Sequence, residues 1–355
     1  MQDRDDDVQS SDAPAAPAHH RPGGGFRNPW TDGERHGFGR FLKWVLVDRL
    51  TTRRLPDPPA SAFPRMTPDF ASPRAPRDRL TLTWVGHSTF LLQVGGWNIL
   101  TDPVWGSRAS PVRFAGPRRR TAPGVAFAEL PPIDLVLLSH DHYDHLDSPS
   151  VRRIAAEHPQ ARWVAPLGVG DWLRKRGARA VAESDWWGEL PLQAPADLPM
   201  SPLRLTSVPA QHFSGRSLRS RNSTLWCGWA IRTDVHAVLF AGDTGRHALW
   251  ESIGRKLGPF DLVLMPIGAY EPRWFMRAVH VNADEAVDCF VEVVRANGAP
   301  AARPSPVMAA MHWGTFRLTD EPLDEPPQRA RDAWTRAGLT EDRLWVLAHG
   351  ETRTL

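Results

Sequence analysis

The feature that most constrains this chain is a string of histidines and aspartates, His140-Asp141-His142-Tyr143-Asp144-His145. It directly follows an apolar run at residues 133–138, which predicts a buried strand with the string at its carboxyl end. Imidazole and carboxylate groups are the ligands that zinc and similar divalent metals prefer. The first two histidines can face one point, and the aspartate and last histidine a second point nearby. The string therefore predicts metal binding, with further ligands from elsewhere in the chain.

Three other positions follow apolar runs in the same way. His212 comes after residues 203–208, Asp243 after residues 237–241, and His312 after residues 307–311. Strands place the loops that follow them on a rigid scaffold, so we expect these positions to converge on the histidine string. The candidate metal ligands are therefore His140, His142, Asp144, His145, His212, Asp243 and His312.

The rest of the chain alternates short β-rich runs with a few helices. Runs at residues 80–85, 90–94 and 97–101 are broken by Gly86 and by Gly95-Gly96, which indicates a meander. Further strands are predicted at residues 134–138, 203–208, 225–232, 237–241, 262–265, 307–311 and 344–348, and helices at residues 148–157, 246–257, 283–296 and 328–337. This mixture predicts an α/β (α+β) chain with a sheet-on-sheet core and helices outside.

The first 79 residues have a different composition. Residues 1–28 are expected to be a disordered tail, and residues 29–79 to hold an amphipathic helix and a proline-rich connector. The helix is predicted at residues 34–50, where Phe41 and Trp44 either pack on the main domain or dip into a membrane surface. Residues 80–355 are expected to form the catalytic domain.

Composition excludes several classes of protein. No apolar run reaches the length of a membrane-spanning helix, and the N-terminus lacks the apolar core of a secretory signal, so a cytoplasmic location is expected. Cys227 and Cys289 are the only cysteines, which excludes a disulfide framework and a cysteine-based zinc ribbon. The net charge is only +3, and the one tight basic run is Arg118-Arg119-Arg120, so no nucleic-acid partner is expected.

Longer strings show a family resemblance. From about residue 80 onward the chain resembles the metallo-β-lactamase fold and, within it, the N-acylphosphatidylethanolamine-hydrolysing phospholipases D. The resemblance rests on Trp84-Val85-Gly86-His87, Leu100-Thr101-Asp102-Pro103, Ser107-Arg108-Ala109-Ser110-Pro111, Asp185-Trp186-Trp187, Pro266-Ile267-Gly268-Ala269-Tyr270-Glu271-Pro272-Arg273-Trp274-Phe275-Met276, His312-Trp313-Gly314-Thr315-Phe316 and His349-Gly350-Glu351.

This resemblance implies a four-layer αββα sandwich with two zinc ions at one edge. By matching motif, His140, His142 and His212 would hold one ion, Asp144, His145 and His312 the other, and Asp243 would bridge them. A hydroxide between the two ions would attack the phosphodiester of a glycerophospholipid and release an N-acylethanolamine and phosphatidic acid. The enzyme would meet its lipid transiently at the inner membrane surface, and a homodimer is compatible with the sequence.

Further residues acquire expected roles from the same resemblance. Asp144, Asp243 and His280 are expected to act in catalysis, and Asp102 to orient a ligand histidine. Tyr143 and His280 are candidate substrate contacts. The cluster Trp274-Phe275-Met276 either belongs to the core or meets lipid tails. His87 and His349 match family strings, but the sequence assigns neither a role.

Other functions remain compatible with the ligand set. The first is another hydrolase of this fold, such as a sugar-phosphate lactonase, which would attack a carbonyl group. A lipid-binding protein without activity and a nuclease of the same fold are less favoured, because the ligand set is complete and basic residues are scattered. An assay that compares turnover of a phosphodiester with turnover of a lactone would distinguish such a lactonase from a phospholipase D.

Overall fold

The computed structural model describes residues 17–30, 56–217, 219–296 and 305–355. The amphipathic helix predicted at residues 34–50 lies outside these ranges. Within them, no helix is both long and apolar enough to cross a lipid bilayer.

The first half of the chain builds most of one sheet. Its strands are β1 (Leu80–Gly86), β2 (Thr89–Val94), β3 (Trp97–Thr101), β4 (Leu135–Leu137), β5 (Arg162–Pro166) and β6 (Ala180–Ser184). β1, β2 and β3 form the predicted antiparallel meander, and β3 to β6 then run parallel. The strands after β3 are parallel because each connection crosses over through a longer segment.

The second half repeats the arrangement in a second sheet. Its strands are β8 (Leu203–Val208), β9 (Gly228–Arg232), β10 (Ala237–Phe240), β11 (Leu262–Pro266), β12 (Val307–Met311) and β13 (Leu344–Trp345). β8 to β10 pair antiparallel, and β10 to β13 run parallel. The order of antiparallel and parallel pairings is therefore the same in both halves.

Each half ends with a strand that joins the other half's sheet. β7 (Glu189–Leu192) pairs antiparallel with β8, and β14 (Thr352–Thr354) pairs antiparallel with β1. Each sheet thus has seven described strands, six from one half and one from the other. This exchange ties the two halves together by backbone hydrogen bonds.

Helices cover the outer faces of the two sheets. They are α1 (Ser148–Glu157), α2 (Gly170–Arg174), α3 (Trp250–Leu257), α4 (Arg273–Met276), α5 (Ala283–Arg295) and α6 (Glu325–Arg336), with short 3-10 helices at Ala60–Ala62, Phe127–Glu129 and Glu341–Arg343. α5 begins with a capping box, in which Asn282 accepts a hydrogen bond from the backbone of Glu285 and the Glu285 side chain accepts one from that of Asn282.

The burial pattern of β4 shows the layers directly. Leu135 and Leu137 join the large apolar cluster that β8 to β12 also line, between the two sheets. Val136 alternates to the outer face, where it packs in a second cluster with Val151 of α1 and Leu173 of α2. A strand buried on both faces needs a layer on each side. The four-layer αββα sandwich expected from the sequence is confirmed.

The end of the supposed disordered tail is ordered. Residues 17–28 pack against the domain, with the side chains of His19 and Phe26 buried. Both imidazoles of His19 and His20 bond to Asp185, which lies between β6 and β7. The expectation of disorder was wrong for these residues, because two histidines and one phenylalanine anchor them to the domain. Such isolated anchors cannot be recognised from the polar, proline-rich composition of the segment.

Candidate metal centre

Segments that follow four strands meet at one edge of the sandwich. The histidine string follows β4, His212 follows β8, Asp243 follows β10 and His312 follows β12. Gly242 shapes the approach to Asp243: its φ is 63°, and a Cβ there would lie 2.8 Å from the carbonyl oxygen of Cys227. Only glycine tolerates both conditions, so this residue lets the chain turn and direct Asp243 inward.

The first group of ligand candidates is made of three histidines. Nδ1 of His142 lies 2.9 Å from Nε2 of His140 and 3.1 Å from Nε2 of His212. The rings of His140 and His212 are fully buried and that of His142 is partly buried. Three nitrogen lone pairs therefore converge on one small space.

Hydrogen bonds on the far side of two of these rings, those of His212 and His140, fix which nitrogen faces the centre. Nδ1 of His212 donates to the carbonyl oxygen of Val279 at 2.9 Å, which leaves its Nε2 unprotonated. The hydroxyl of Ser139 donates to Asp102 at 2.6 Å and so accepts the Nδ1 proton of His140 at 2.8 Å. Metal-binding histidines are held in this way, by a hydrogen bond from the other ring nitrogen.

The second group contains Asp144, His145 and His312. Oδ2 of Asp144 lies 3.4 Å from Nε2 of His145 and 3.5 Å from Nε2 of His312. Nδ1 of His145 bonds to Asp102 at 2.7 Å, so Asp102 orients a histidine of the site as expected. The same carboxylate also holds Ser139, and therefore supports both groups at once.

Asp243 lies between the two groups. Its Oδ2 is 3.1 Å from Nε2 of His145 and 3.0 Å from Nε2 of His312 in the second group. In the first group it is 4.0 Å from Nε2 of His140 and 3.9 Å from Nε2 of His212. One carboxylate oxygen thus faces nitrogens of both groups, which is the position of a bridging ligand.

Carboxylates and histidines of the cluster shift one another's pKa values. Burial opposes ionisation of Asp144 and Asp243, but the histidines around them outweigh it and hold both pKa values well below the ordinary range. The same two carboxylates outweigh burial at His145 and His312 and raise the pKa values of both, that of His312 to about 9. Burial, with His212 adding to it, instead lowers the pKa of His142 to about 3. A metal ion bound to the nitrogens of His145 and His312 would take the place of their protons beside the two buried carboxylates.

These residues fit divalent metal ions. In a tetrahedral zinc site with bonds of about 2.0–2.1 Å, neighbouring ligand atoms lie ~3.3 Å apart. The separations within the two groups range from 2.9 to 3.5 Å. In addition, Nε2 of His145, Nε2 of His312 and Oδ1 of Asp243 are buried without a hydrogen-bond partner among the described residues. Buried polar atoms of this kind require an explanation, and metal ligation supplies one.

His280 lies beside the bridging position. It is buried, and its Nε2 is 3.9 Å from Oδ2 of Asp243. Burial holds its pKa well below the ordinary value, so the ring is neutral. The backbone N–H of His280 donates to the carbonyl of Met276 in α4, and the carbonyl of His280 accepts a hydrogen bond from the side chain of Arg273. These two bonds hold the backbone that carries the ring beside the candidate ligands.

The remaining predicted contacts lie farther from the cluster. The hydroxyl of Tyr143 donates to the carbonyl of Arg216 at 2.8 Å. Trp274 and Phe275 are half-buried in α4, and Met276 is buried. Tyr143 thus bonds within the protein, and the cluster of three residues is closer to a core element than to an exposed patch.

His87 is a site residue that sequence reasoning left without a role. It follows β1 with a φ of 55°, and its Nε2 lies 3.0 Å from Oδ2 of Asp144. Its ring centroid is 4.0 Å from that of His312. β1 occupies in the first half the place of β8 in the second, so His87 and His212 follow equivalent strands. The two halves of the chain repeat the same strand order without obvious sequence similarity. The equivalence of His87 and His212 is therefore visible only in the fold.

A third histidine cluster has a different character. Nε2 of His19 is 2.6 Å and Nε2 of His20 is 2.7 Å from the two oxygens of Asp185. These distances are shorter than the ~3.3 Å between ligands of one zinc ion and match direct hydrogen bonds. The cluster therefore needs no ion and anchors the N-terminal segment. That segment also reaches the metal cluster, because Asn28 donates to the carbonyl of His212 at 2.8 Å.

Comparison with known proteins places this geometry in a family. Residues 97–303 match the family described as beta-lactamase superfamily domain, which is more than half of the chain. The chain belongs to this superfamily. The match includes the nine strands from β3 to β11 and all candidate ligands except His312.

Two relatives are similar in sequence to this chain over most of its length. An uncharacterized protein of Mycobacterium tuberculosis is 40% identical over 292 residues, covering 82% of this chain and 72% of the relative. The N-acyl-phosphatidylethanolamine-hydrolyzing phospholipase D 1 of Caenorhabditis elegans is 40% identical over 260 residues, covering 71% of this chain and 69% of the relative.

A solved structure supports the fold. The metallo hydrolase Igni18 of the archaeon Ignicoccus hospitalis superposes with a TM-score of 0.55 at 24% identity, covering 78% of this chain and 98% of the other. The family match and the fold place this chain in the beta-lactamase superfamily, with the metallo-β-lactamase fold.

Proposed function

We propose that the protein is a zinc-dependent phosphodiesterase of the phospholipase D type. Its substrates would be glycerophospholipids like N-acylphosphatidylethanolamine, and its products an N-acylethanolamine and phosphatidic acid. The position of Asp243 carries the metal part of this proposal, because one of its oxygens faces histidines of two separate ligand groups. The nematode relative, whose name describes this reaction, supports the substrate part.

The two ligand groups divide the work of holding the ions. His140, His142 and His212 would hold one ion, and Asp144, His145 and His312 the other, with Asp243 shared. Zinc suits this set of imidazole and carboxylate ligands. When bound, a pair of divalent ions activates water and neutralises charge on a phosphoryl oxygen.

The surrounding residues keep the ligands in place and manage protons. Asp102 holds His145 directly and His140 through Ser139, so it fixes one histidine of each group. Neutral His280 has one ring N–H to donate to an oxygen of the phosphodiester or of the departing alcohol. Because its ring lies beside Asp243, that proton is available next to the expected position of the phosphorus atom.

Substrate comparison on one zinc-loaded preparation tests the proposal. N-acylphosphatidylethanolamine, phosphatidylcholine, a small soluble phosphodiester and a lactone would be assayed together, with products identified by mass spectrometry. We expect release of the N-acylethanolamine from the first, together with phosphatidic acid. Turnover of the lactone without any phosphodiester hydrolysis would contradict the proposed substrate class, and only the assignment of the fold would remain valid.

The variant His280→Asn distinguishes the binding of the metal ions from the transfer of a proton to the substrate. We expect it to retain two zinc ions and to lower hydrolysis by about 10²-fold or more, as removal of a general acid–base group does. His349→Asn changes another buried histidine, one outside the candidate metal groups, and serves as the control. Equal activity of the two variants would remove His280 from the mechanism.

A further inference from the structure

A large cavity lies beside the histidine string without being lined by any of the seven ligand candidates. Its volume is about 930 Å³, which is in the range of pockets that enclose a whole small ligand. Asp141 and Tyr143, the two residues of the string that are not ligand candidates, form part of its wall. The cavity therefore borders the loop that carries the metal ligands.

Positive charge dominates the wall of this cavity. Four arginines line it, Arg108, Arg113, Arg176 and Arg216, against two aspartates, Asp141 and Asp147. Among the described residues, no carboxylate lies within 4.0 Å of any of these four guanidinium groups, whereas many other arginines of the protein have such a partner. The wall thus holds four guanidinium groups without a direct ion pair, although Asp141 and Asp147 attract Arg216 at longer range.

The two acids of the wall are already engaged. Asp147 accepts hydrogen bonds from the backbone and the hydroxyl of Ser150 as the cap of α1. Asp141 accepts a hydrogen bond from the backbone of Gly215 at 2.7 Å. One oxygen of each carboxylate is thus engaged within the fold, and neither acid forms a direct ion pair with the four arginines.

Aromatic rings hold two of the guanidinium groups in position. Arg176 lies over the ring of Trp172 at 3.4 Å, and Arg216 lies over the ring of Tyr143 at 3.9 Å. Arg216 also donates to the carbonyl oxygens of Asp141, within the histidine string, and of Leu146, which directly follows it. Stacked arginines lose little freedom on binding and present a planar fork that matches phosphate oxygens.

An exposed apolar loop stands at the edge of the cavity. Phe114 is 83% exposed and Val112 is 38% exposed, and Arg113 between them lines the cavity. Phe114 is the most exposed large apolar side chain of the described residues. An aromatic tip next to arginines that form no direct ion pair with a carboxylate is complementary to a surface that is apolar inside and anionic outside.

We propose that this arginine cavity and the loop beside it dock on a membrane by binding the phosphate headgroup of an anionic phospholipid. Phe114 and Val112 enter the apolar layer while the arginines hold the headgroup. This docking surface differs from both surfaces considered from the sequence, since residues 34–50 lie outside the described ranges and Trp274 and Phe275 are half-buried. It does not depend on which ester the metal centre hydrolyses.

Vesicle binding of the zinc-loaded protein tests this proposal. Flotation would compare vesicles of phosphatidylcholine alone with an equimolar mixture of phosphatidylcholine and phosphatidic acid. The double variant Arg113→Gln with Arg176→Gln should bind the mixed vesicles about tenfold or more weakly, since each basic residue at such a surface contributes about 1 kcal/mol. Arg331→Gln, which changes an exposed arginine of α6, is the control and should bind like the wild type.

A second pair of variants separates docking from unfolding. Phe114→Ser changes a side chain that is almost fully exposed, so it cannot disturb the core, and it should weaken binding to both vesicles. Val235→Ser, in the turn between β9 and β10, is its matched control. Binding of the mixed vesicles that is unchanged in the double arginine variant would overturn the proposal.

Inorganic phosphate distinguishes a lipid site from a site for a soluble anion. If the double arginine variant loses affinity for inorganic phosphate in calorimetry and still binds mixed vesicles normally, the cavity serves a soluble ligand and the docking proposal is wrong. Hydrolysis of a small soluble phosphodiester should be the same in all five proteins. A loss there would concern the proposed reaction and not the docking surface.

Discussion

Asp243 allows a test of whether a single side chain joins the two proposed metal positions. Asp243→Asn removes the charge of the one carboxylate that faces both groups, so we expect the purified variant to hold fewer than two zinc ions while it stays folded. Metal analysis and circular dichroism would be run beside Asp288→Asn, which changes an exposed acid of α5. Two zinc ions in the Asp243 variant would contradict a bridging role.

His87 offers a second test at the level of single residues. It contacts Asp144 at 3.0 Å, so His87→Asn should release that carboxylate and lower zinc occupancy of the second group more than of the first. His349→Asn is well matched, because His349 is equally buried and, like His87, contacts Thr315. If both variants retain two ions with unchanged affinity, His87 contributes to packing and not to the position of Asp144.

His312 predicts opposite pH trends for metal binding and for stability of the metal-free protein. Burial lowers its pKa, but Asp243 and Asp144 outweigh burial and raise it to about 9, above the value of about 6.5 expected when unfolded. The metal-free protein should therefore lose stability as pH rises from about 6.5 to 9, because the folded state then gives up a proton. Zinc affinity should rise over the same range, since zinc displaces that proton. Urea titrations and zinc titrations at several pH values would reveal either trend; parallel trends would contradict this assignment.

The helices and strands were predictable where the local pattern is strong. β3, β8, β12 and α1 begin and end at the residues expected from the sequence, because apolar runs or a capped amphipathic segment define them. β6 and β7 were missed: their burial is mixed and β7 contains Pro191, as is common near sheet edges. The convergence of the candidate ligands at one edge was predictable because the segments that carry them each follow a strand, whereas the contact of His87 with Asp144 joins segments 57 residues apart.

The N-terminal segment is an element whose anchoring can be measured. His19→Ala removes a buried ring that bonds to Asp185 and stacks on Trp186 at 4.2 Å between centroids. We expect a loss of about 1–3 kcal/mol in the free energy of unfolding, the usual cost of a hydrogen bond to a charged group. Urea denaturation of His19→Ala and of the control Arg331→Gln would measure it. Equal stability of the two variants would show that the segment is not held by this cluster.

At the scale of the whole molecule, the ions would lie where the two sheets meet. The string after β4 belongs to the first half of the chain, whereas His212, Asp243 and His312 belong to the second. Metal bound only to the folded state stabilises it, by about 2.7 kcal/mol per site at a free concentration one hundred times Kd. Removal of zinc by a chelator should therefore lower the melting temperature, and re-addition should restore it. A melting temperature that does not respond would contradict a metal site shared by both halves.

The spread of the ligands along the chain also determines when ions can be acquired during synthesis. His140 is followed by His212, Asp243 and finally His312, each in a later strand connection. A growing chain that has reached only the histidine string holds an incomplete set of candidate ligands. On the proposed assignment, the first group and Asp243 are complete before β11 has been made, whereas the second group is complete only with His312. A second ion could therefore bind only near the end of synthesis.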